Sequence, residues 1–196
     1  MSTVYTIGHS SHSFETFAGL LAGHGIEVVV DTRSSPYSKF APQFAREALQ
    51  RDLTACRVKY IFLGEELGGR PRGDDFYDAS GRVLYGKRQS DARFLAGIER
   101  LERGMEQFRV ALMCGEEDPA HCHRRLLVGR VLVERGHELL HIRADGRLET
   151  EREVAQESNK PLITAQPALF AELDEDQWRS TASVSPKKAP ASFSRR

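Results

Sequence analysis

The side chains best suited to chemistry collect in residues 114–124, which read CGEEDPAHCHR. Cys114 is expected to end a β-strand and Cys122 to open a helix. Exposed backbone N–H groups at a helix N-terminus stabilise a thiolate, and neighbouring His or Arg side chains lower its pKa further. Cys122 therefore fits a nucleophilic or redox-active thiol with Cys114 as its partner, and the neighbours that would activate it are His121, His123, Arg124 and Arg125. Alternatively, both cysteines pack as small apolar side chains.

Further candidates follow earlier predicted strands. Asp31 and Arg33 flank one residue, and on an extended backbone they point the same way. They form either a general base beside an anion-binding guanidinium or a structural ion pair. His9 is either a general acid/base or an ordinary loop residue. In the catalytic interpretation His9 or His123 moves protons, and Glu116 or Asp31 orients them.

These considerations define two sets of predicted site residues. The catalytic set is Cys122, Cys114, His9, His123, Asp31 and Glu116. The substrate-binding set is Arg33, Arg124, Gly8, Ser10, Gly68 and Gly69. Gly68 and Gly69 precede Arg70, and such a run can bring backbone amides and a guanidinium to an anion, but a tight turn is the favoured alternative because no P-loop or dinucleotide fingerprint is present. We predict an enzyme of the hydrolase or transferase type acting on a small anionic substrate. Hydride transfer is disfavoured because no dinucleotide fingerprint is present.

Two alternatives stay open. The first is a metalloprotein, because zinc and iron accept ligands of the types found at Cys114, Cys122, His121, His123 and His9. The two cysteines lack the spacing of a structural zinc knuckle, so this would be an open site, and the sequence assigns no cofactor and no metal ligand. The second is a non-catalytic module that binds a nucleotide or nucleic acid through Arg33, Arg70, Arg72, Arg124 and a basic tail.

Turn residues divide the chain into alternating strands and helices that would position these groups. Predicted strands cover residues 4–7, 26–30, 58–63, 109–113 and 138–142, with four helices between them. This order predicts an α/β domain with a mostly parallel sheet, to which the last element could add an antiparallel edge strand. In such sheets ligands bind at the carboxyl ends of the strands. Four of those ends carry the candidate residues.

Composition sets the remaining expectations. The 196 residues carry 28 basic and 28 acidic side chains, which disfavours a general nucleic-acid or membrane-surface binder. No apolar run is long enough for a transmembrane helix, no signal peptide is evident, and three cysteines make no disulfide framework. We expect a cytoplasmic protein with an α/β domain over 1–150, a polar extension over 151–180 that packs on it, and a disordered basic tail over 181–196.

Four sequence blocks together resemble one family. The blocks TIGHS (6–10), DTRSSPYS (31–38), LGG (67–69) and CGEEDPAHCHR (114–124) are similar in order and spacing to the bacterial and archaeal domain-of-unknown-function family 488. The resemblance covers roughly residues 4–148 and implies a single α/β domain but no activity. It places His9, Asp31, Arg33, Glu116, Cys122, His123 and Arg124 at the family's motif positions. Gly115 departs from the family, where Ala is more common.

Overall fold

A six-stranded sheet forms the centre of the computed structural model, which describes residues 1–37, 39–158, 162 and 178–184. The strands are β1 (Thr3–Gly8), β2 (Val28–Asp31), β3 (Lys59–Phe62), β4 (Val110–Cys114), β5 (Glu138–Ile142) and β6 (Leu148–Thr150). Their order is β3-β2-β4-β1-β5-β6, and every pair is parallel except β5 with β6. The predicted α/β class and mostly parallel sheet are confirmed, and the chain adds the antiparallel edge strand as a sixth.

The helices are α1 (Phe14–Gly23), α2 (Arg46–Ala55), α3 (Tyr85–Gln89), α4 (Ala92–Met105), α5 (Arg130–Glu134) and α6 (Glu151–Ser158). Local capping explains two of their starts, because the side chains of Ser13 and Asp91 accept hydrogen bonds from the N–H groups of Thr16 and Phe94. The second helix begins at Arg46. A short 3₁₀ turn precedes it, and the extended backbone of Ala45 separates the two.

Apolar side chains cover both faces of the sheet. Alternate residues of a strand point to opposite faces, so Val28 and Val30 join one apolar cluster while Val29 joins the other. The first cluster contains residues of α4 and of the segment leading into α5, namely Phe94, Ile98, Leu101, Leu127 and Leu132. The second contains residues of α1 and α2, namely Phe17, Leu21, Leu49 and Leu53. The result is a three-layer α/β/α arrangement.

The connections after β1 and β4 explain where a ligand site belongs. These two strands are neighbours, but β1 continues through α1 to β2, and β4 continues through α5 to β5 on the other side. The two helices also pack on opposite faces of the sheet. A crevice opens at the carboxyl ends of strands where the connections diverge in this way. His9 directly follows the end of β1, and Cys114 is the last residue of β4.

The long connection over residues 64–89 carries small elements. It contains a 3₁₀ turn at Asp74–Phe76, an isolated bridge between Tyr77 and Val83, and α3. Residues 178–184 lie against it, because Leu84 forms a bridge with Arg179. The indole Nε1 of Trp178 also donates a 2.8 Å hydrogen bond to the Leu126 carbonyl. Most of the predicted extension and tail lies outside the described residues, so the three-part division of the chain stays a prediction. No described helix has the length and apolar character needed to cross a membrane.

Candidate functional site

A cleft of about 850 Å³ lies at the carboxyl ends of β1, β2 and β4. It brings together seven of the predicted site residues, namely His9, Arg33, Gly69, Cys114, Glu116, Cys122 and His123. The remaining five, Asp31, Arg124, Gly8, Ser10 and Gly68, are not among the lining residues. The seven lining residues come from four separate parts of the chain.

Three of the lining side chains form a compact cluster, which we call the Cys-His cluster: Cys114, Cys122 and His123. Their two Sγ atoms and one imidazole nitrogen lie within 4.8 Å of one another. The Nδ1 atom of His123 is 3.7 Å from the Cys114 Sγ and 3.9 Å from the Cys122 Sγ. The Nε2 atom is 3.0 Å from the backbone carbonyl of Thr32. A carbonyl only accepts, so Nε2 carries the proton and the Nδ1 lone pair of a neutral ring faces the two sulfurs.

This geometry matches what a tetrahedral metal ion requires. Zinc–sulfur bonds of about 2.3 Å and zinc–nitrogen bonds of about 2.0–2.1 Å place sulfur and nitrogen about 3.6 Å apart in a tetrahedron. The two sulfur–nitrogen distances in the Cys-His cluster are close to that value. Metal-bound histidines also usually donate the other ring N–H to a carboxylate or carbonyl, as His123 does to Thr32. Two cysteines and one histidine leave a fourth coordination position open.

The two buried thiols influence each other strongly. A hydrogen bond to Cys122, together with burial, raises the pKa of Cys114. Burial would also raise the pKa of Cys122, but the hydrogen bond from Cys114 and the positive charge of Arg124 outweigh it and lower that pKa well below its usual range. Cys122 is extended (φ −103°, ψ 138°). Its carbonyl accepts a 2.9 Å hydrogen bond from the Leu126 N–H, so it caps the helical segment that follows.

That helical segment begins with a π-helix, Arg124–Gly129, which continues into α5. The sequence periodicity predicts one regular helix here. The wider π turn is uncommon and is frequent at functional sites. In this chain it follows the cluster residue His123 directly and carries Arg124 towards the interior.

Asp31 and Arg33 form a buried ion pair beside the Cys-His cluster. The Asp31 carboxylate is fully buried and accepts hydrogen bonds from the Arg33 backbone N–H, Nε–H and Nη2–H at 3.0, 2.9 and 2.6 Å. It accepts a fourth from the Tyr60 hydroxyl at 2.7 Å. The carboxylate is thus saturated with donors, and its geometry is that of a group that orients Arg33.

His9 completes this arrangement. Its Nδ1 lies 2.9 Å from the Ser10 carbonyl, so Nδ1 carries the proton, and its Nε2 accepts a 3.2 Å hydrogen bond from Arg33 Nη1. The ring stacks on Phe44 with centroids 4.3 Å apart. Burial and the Arg33 guanidinium lower the pKa of His9 to about 4, so the ring is neutral near pH 7. Ser10 adopts a left-handed φ of 46°, which turns its carbonyl towards this ring.

Arg124 lies beneath the cleft. It is 1% exposed, and its guanidinium donates to the backbone carbonyls of Glu116 and Glu117 and to the Thr6 hydroxyl. These bonds fix the turn that follows β4. Gly8 packs directly against the same turn, because a Cβ at this position would lie 2.0 Å from the Glu116 carbonyl oxygen.

The glycine pair after β3 forms another side of the cleft. A Cβ on Gly69 would lie 2.7 Å from Cγ of His123, so only glycine lets this backbone cover the imidazole. Gly68 packs against Ser34, whose hydroxyl also accepts a 2.8 Å hydrogen bond from the Arg70 N–H. This wall therefore positions the Cys-His cluster through close backbone packing.

Several residues that contribute to the candidate site were not predicted from the sequence. Thr32 acts through its backbone carbonyl, for which residue type carries no signal. Tyr60 donates a hydrogen bond to Asp31, and Phe44 stacks on His9. Both come from other parts of the chain, and in the sequence they resemble ordinary aromatic core residues. Residues 180–184 also border the cleft, with Ser180, Thr181, Ala182 and Val184 in its lining. Only the tertiary fold brings that segment back to the sheet edge.

The comparisons with known proteins yield one match. A family model described as "Domain of unknown function DUF488" matches residues 13–131, which includes β2, β3, β4 and the whole Cys-His cluster. No curated protein and no solved structure matches the chain.

Proposed function

The chain belongs to the domain-of-unknown-function family DUF488, and we propose that it is a metal-dependent enzyme of the hydrolase type. Cys114, Cys122 and His123 hold one zinc-like ion through two thiolates and one imidazole. The substrate is a small anionic molecule that occupies the cleft beside them.

One observation carries this proposal: the arrangement of donor atoms in the Cys-His cluster. The His123 Nδ1 lone pair is directed at two sulfurs 3.7 and 3.9 Å away, and the Thr32 carbonyl holds the opposite ring nitrogen. Both distances suit shared coordination of one ion. Soft thiolate and imidazole donors in this combination favour zinc over magnesium or calcium.

With three protein ligands, a fourth coordination position would be open to a water or a substrate oxygen, and this position would define the chemistry. A bound zinc ion there would polarise a substrate oxygen or lower the pKa of a coordinated water to near neutrality. In the hydrolytic step the water oxygen forms a bond to the electrophilic atom of the substrate, and the bond to the leaving group breaks. Glu116, a carboxylate in the cleft lining, takes the water proton and returns it to the leaving group.

Arg33 supplies the charge that selects an anion. A guanidinium has five N–H donors. Two of them bond Asp31, one bonds the Phe44 carbonyl and one bonds His9, which leaves one Nη1–H for a ligand. In this proposal Asp31 and His9 are positioning residues, since they hold the guanidinium at the cleft wall. Arg124 is also a positioning residue, because its donors are used by the turn after β4.

The test is metal content measured by mass spectrometry on tag-free protein, with a free-thiol count on the same sample. We expect about one zinc per chain, two thiols protected from alkylation and one thiol, Cys56, reacting fast because it is exposed. Cys122→Ser and His123→Ala should lose the metal. Cys56→Ser is the matched control, since it removes a cysteine outside the cluster and should keep the metal.

Metal-free protein that still binds no zinc after zinc addition and dialysis would overturn the proposal, provided its circular dichroism shows the folded state. Equal metal content in Cys122→Ser and Cys56→Ser would overturn it as well. The first result would mean that the Cys-His cluster binds no zinc. The second would mean that the bound metal is not held by Cys122.

The second candidate is a cysteine nucleophile at Cys122. The specific observation in its favour is that the two buried thiols lie together, with their Sγ atoms within 4.8 Å of each other, and that the Cys114 thiol helps to lower the pKa of Cys122 next to the cleft. The same measurement distinguishes the two. No metal together with a fast-reacting Cys122, in a protein whose Cys56 and Cys114 are replaced, would favour nucleophilic catalysis.

Nucleic-acid binding receives no comparable support, since Arg33 and Arg124 are buried and engaged inside the domain. We propose a cytoplasmic location, because three unpaired cysteines suit a reducing compartment.

A further inference from the structure

A second, smaller cavity adjoins the cleft and is rich in arginine. It measures about 220 Å³, and its charged lining consists of Arg70, Arg72, Arg88 and Arg93 against Glu65 and Asp91. We call it the arginine pocket. Four guanidinium groups face two carboxylates, so the pocket has an excess of positive charge.

The guanidinium groups of the pocket are only partly neutralised. Arg72 lies 3.4 Å from Glu65, and Arg88 pairs with Asp91. The ion pairs among the described residues include neither Arg70 nor Arg93, although both side chains line the pocket. Two cations thus remain for an anion from outside the chain.

Arg88 shows that the pocket is built into the fold. It is only 3% exposed, and besides Asp91 its guanidinium donates to the backbone carbonyl of Glu66. Its Nε–H is buried without a hydrogen-bond partner. A buried donor without a partner is unfavourable, and a bound water, an ion or a ligand is one explanation for such a group in a native protein. Burial is the main cause that lowers the pKa of Arg88, and the positive charge of Arg93 contributes.

The size of the pocket limits what it can hold. Sites for whole small molecules usually measure about 300–1,000 Å³. A cavity of 220 Å³ suits one anionic group. A phosphate fits best, because its three oxygens can each accept from a separate guanidinium, whereas a carboxylate is satisfied by a single bidentate arginine.

Arg70 connects this pocket with the cleft, since it lines both. Its backbone N–H donates to Ser34, another residue of the cleft lining, which fixes the loop between the two cavities. We propose that the substrate carries a phosphate group that Arg70, Arg72 and Arg93 hold in the arginine pocket, while its reacting part lies over the Cys-His cluster. The placement of the reacting part rests on the proposed function, but the phosphate site does not.

The experiment measures binding of inorganic phosphate by isothermal titration calorimetry, in zinc-free and in zinc-loaded protein. We expect Arg93→Gln to weaken phosphate binding by about tenfold or more, the effect of losing one charge-assisted hydrogen bond. Arg100→Gln is the matched control, because it removes another exposed arginine from the same helix, α4, and should bind phosphate like the wild type.

The results separate this inference from the proposed function. The proposed phosphate site is wrong if Arg93→Gln and Arg100→Gln bind phosphate with equal affinity. It is also wrong if folded wild-type protein binds no phosphate. Both conclusions hold even if zinc is present. Phosphate binding that depends on Arg93 in a protein unable to bind zinc supports the pocket and overturns only the metal proposal. Displacement of phosphate by a short single-stranded DNA of random sequence at lower concentration would instead assign the pocket to a nucleic-acid backbone and overturn a small substrate.

Discussion

Replacing Asp31 by asparagine tests whether the buried Asp31–Arg33 pair organises the site. The Asp31 carboxylate is fully buried and accepts four hydrogen bonds, three from Arg33 and one from Tyr60. The asparagine side chain would keep the shape, but its NH₂ group would face a donor, and the Arg33 guanidinium, only 7% exposed, would lose its counter-charge. The substitution therefore leaves an uncompensated charge inside the domain.

The expected cost follows from this burial. Removing one partner of a buried ion pair typically destabilises a protein by about 3–5 kcal/mol. For a chain of this size each kcal/mol lowers Tm by about 2–4 °C, so we expect Tm to fall by about 6–20 °C. Asp52→Asn provides the control, because Asp52 pairs with Arg51 at the surface, where that arginine is 73% exposed. Exposed pairs of this kind contribute about 0–1 kcal/mol.

The measurement is urea unfolding followed by circular dichroism for both variants and for the double variant Asp31→Asn/Arg33→Gln. The double variant should cost less than the sum of the single ones, because it removes the unpaired charge as well. An Asp31→Asn variant whose free energy of unfolding lies within about 1 kcal/mol of Asp52→Asn would refute the reasoning. It would mean that water or another group solvates Arg33.

Three further predictions concern other parts of the fold. Gly69→Ala should lower zinc affinity by about 10–100-fold, because the new Cβ displaces the His123 ring. Competition with a chelating dye measures the affinity. An unchanged affinity would show that the Gly69 backbone does not position His123. Burial lowers the pKa of His141, so the unfolded state takes up the proton first and the free energy of unfolding should fall as pH drops below about 6.5. Urea titrations at several pH values should show a shallower fall in His141→Gln, and identical slopes would exclude His141 as a cause. Trp178→Ala removes the hydrogen bond to the Leu126 carbonyl, so trypsin should cleave after Arg179 faster than in the wild type. Equal cleavage rates would show that other contacts hold residues 178–184 in place.

Local patterns were sufficient for the elements of the fold. Alternating apolar strands and helices predicted the α/β class, because hydrophobic periodicity depends on neighbouring residues. The helix caps Ser13 and Asp91 are equally local features. The same patterns predicted that reactive side chains follow the strands. The order of the six strands was not predictable, since it depends on pairing between distant segments such as β1 with β4.

For the candidate site, too, some features were predictable from the sequence and others were not. The sequence predicted that reactive residues after the strands lie at one edge of the sheet, because parallel strands expose their carboxyl ends on one side, and seven of the twelve predicted residues line the cleft there. The direction of each side chain depends on the tertiary structure: Arg124 turns inward to two carbonyls, and Arg33 is held by Asp31. The tertiary structure also decided that the Thr32 carbonyl directs His123 Nδ1 at both sulfurs. Hydrogen-bond partners brought together from distant parts of the chain set these orientations, and no local pattern of residue types encodes them.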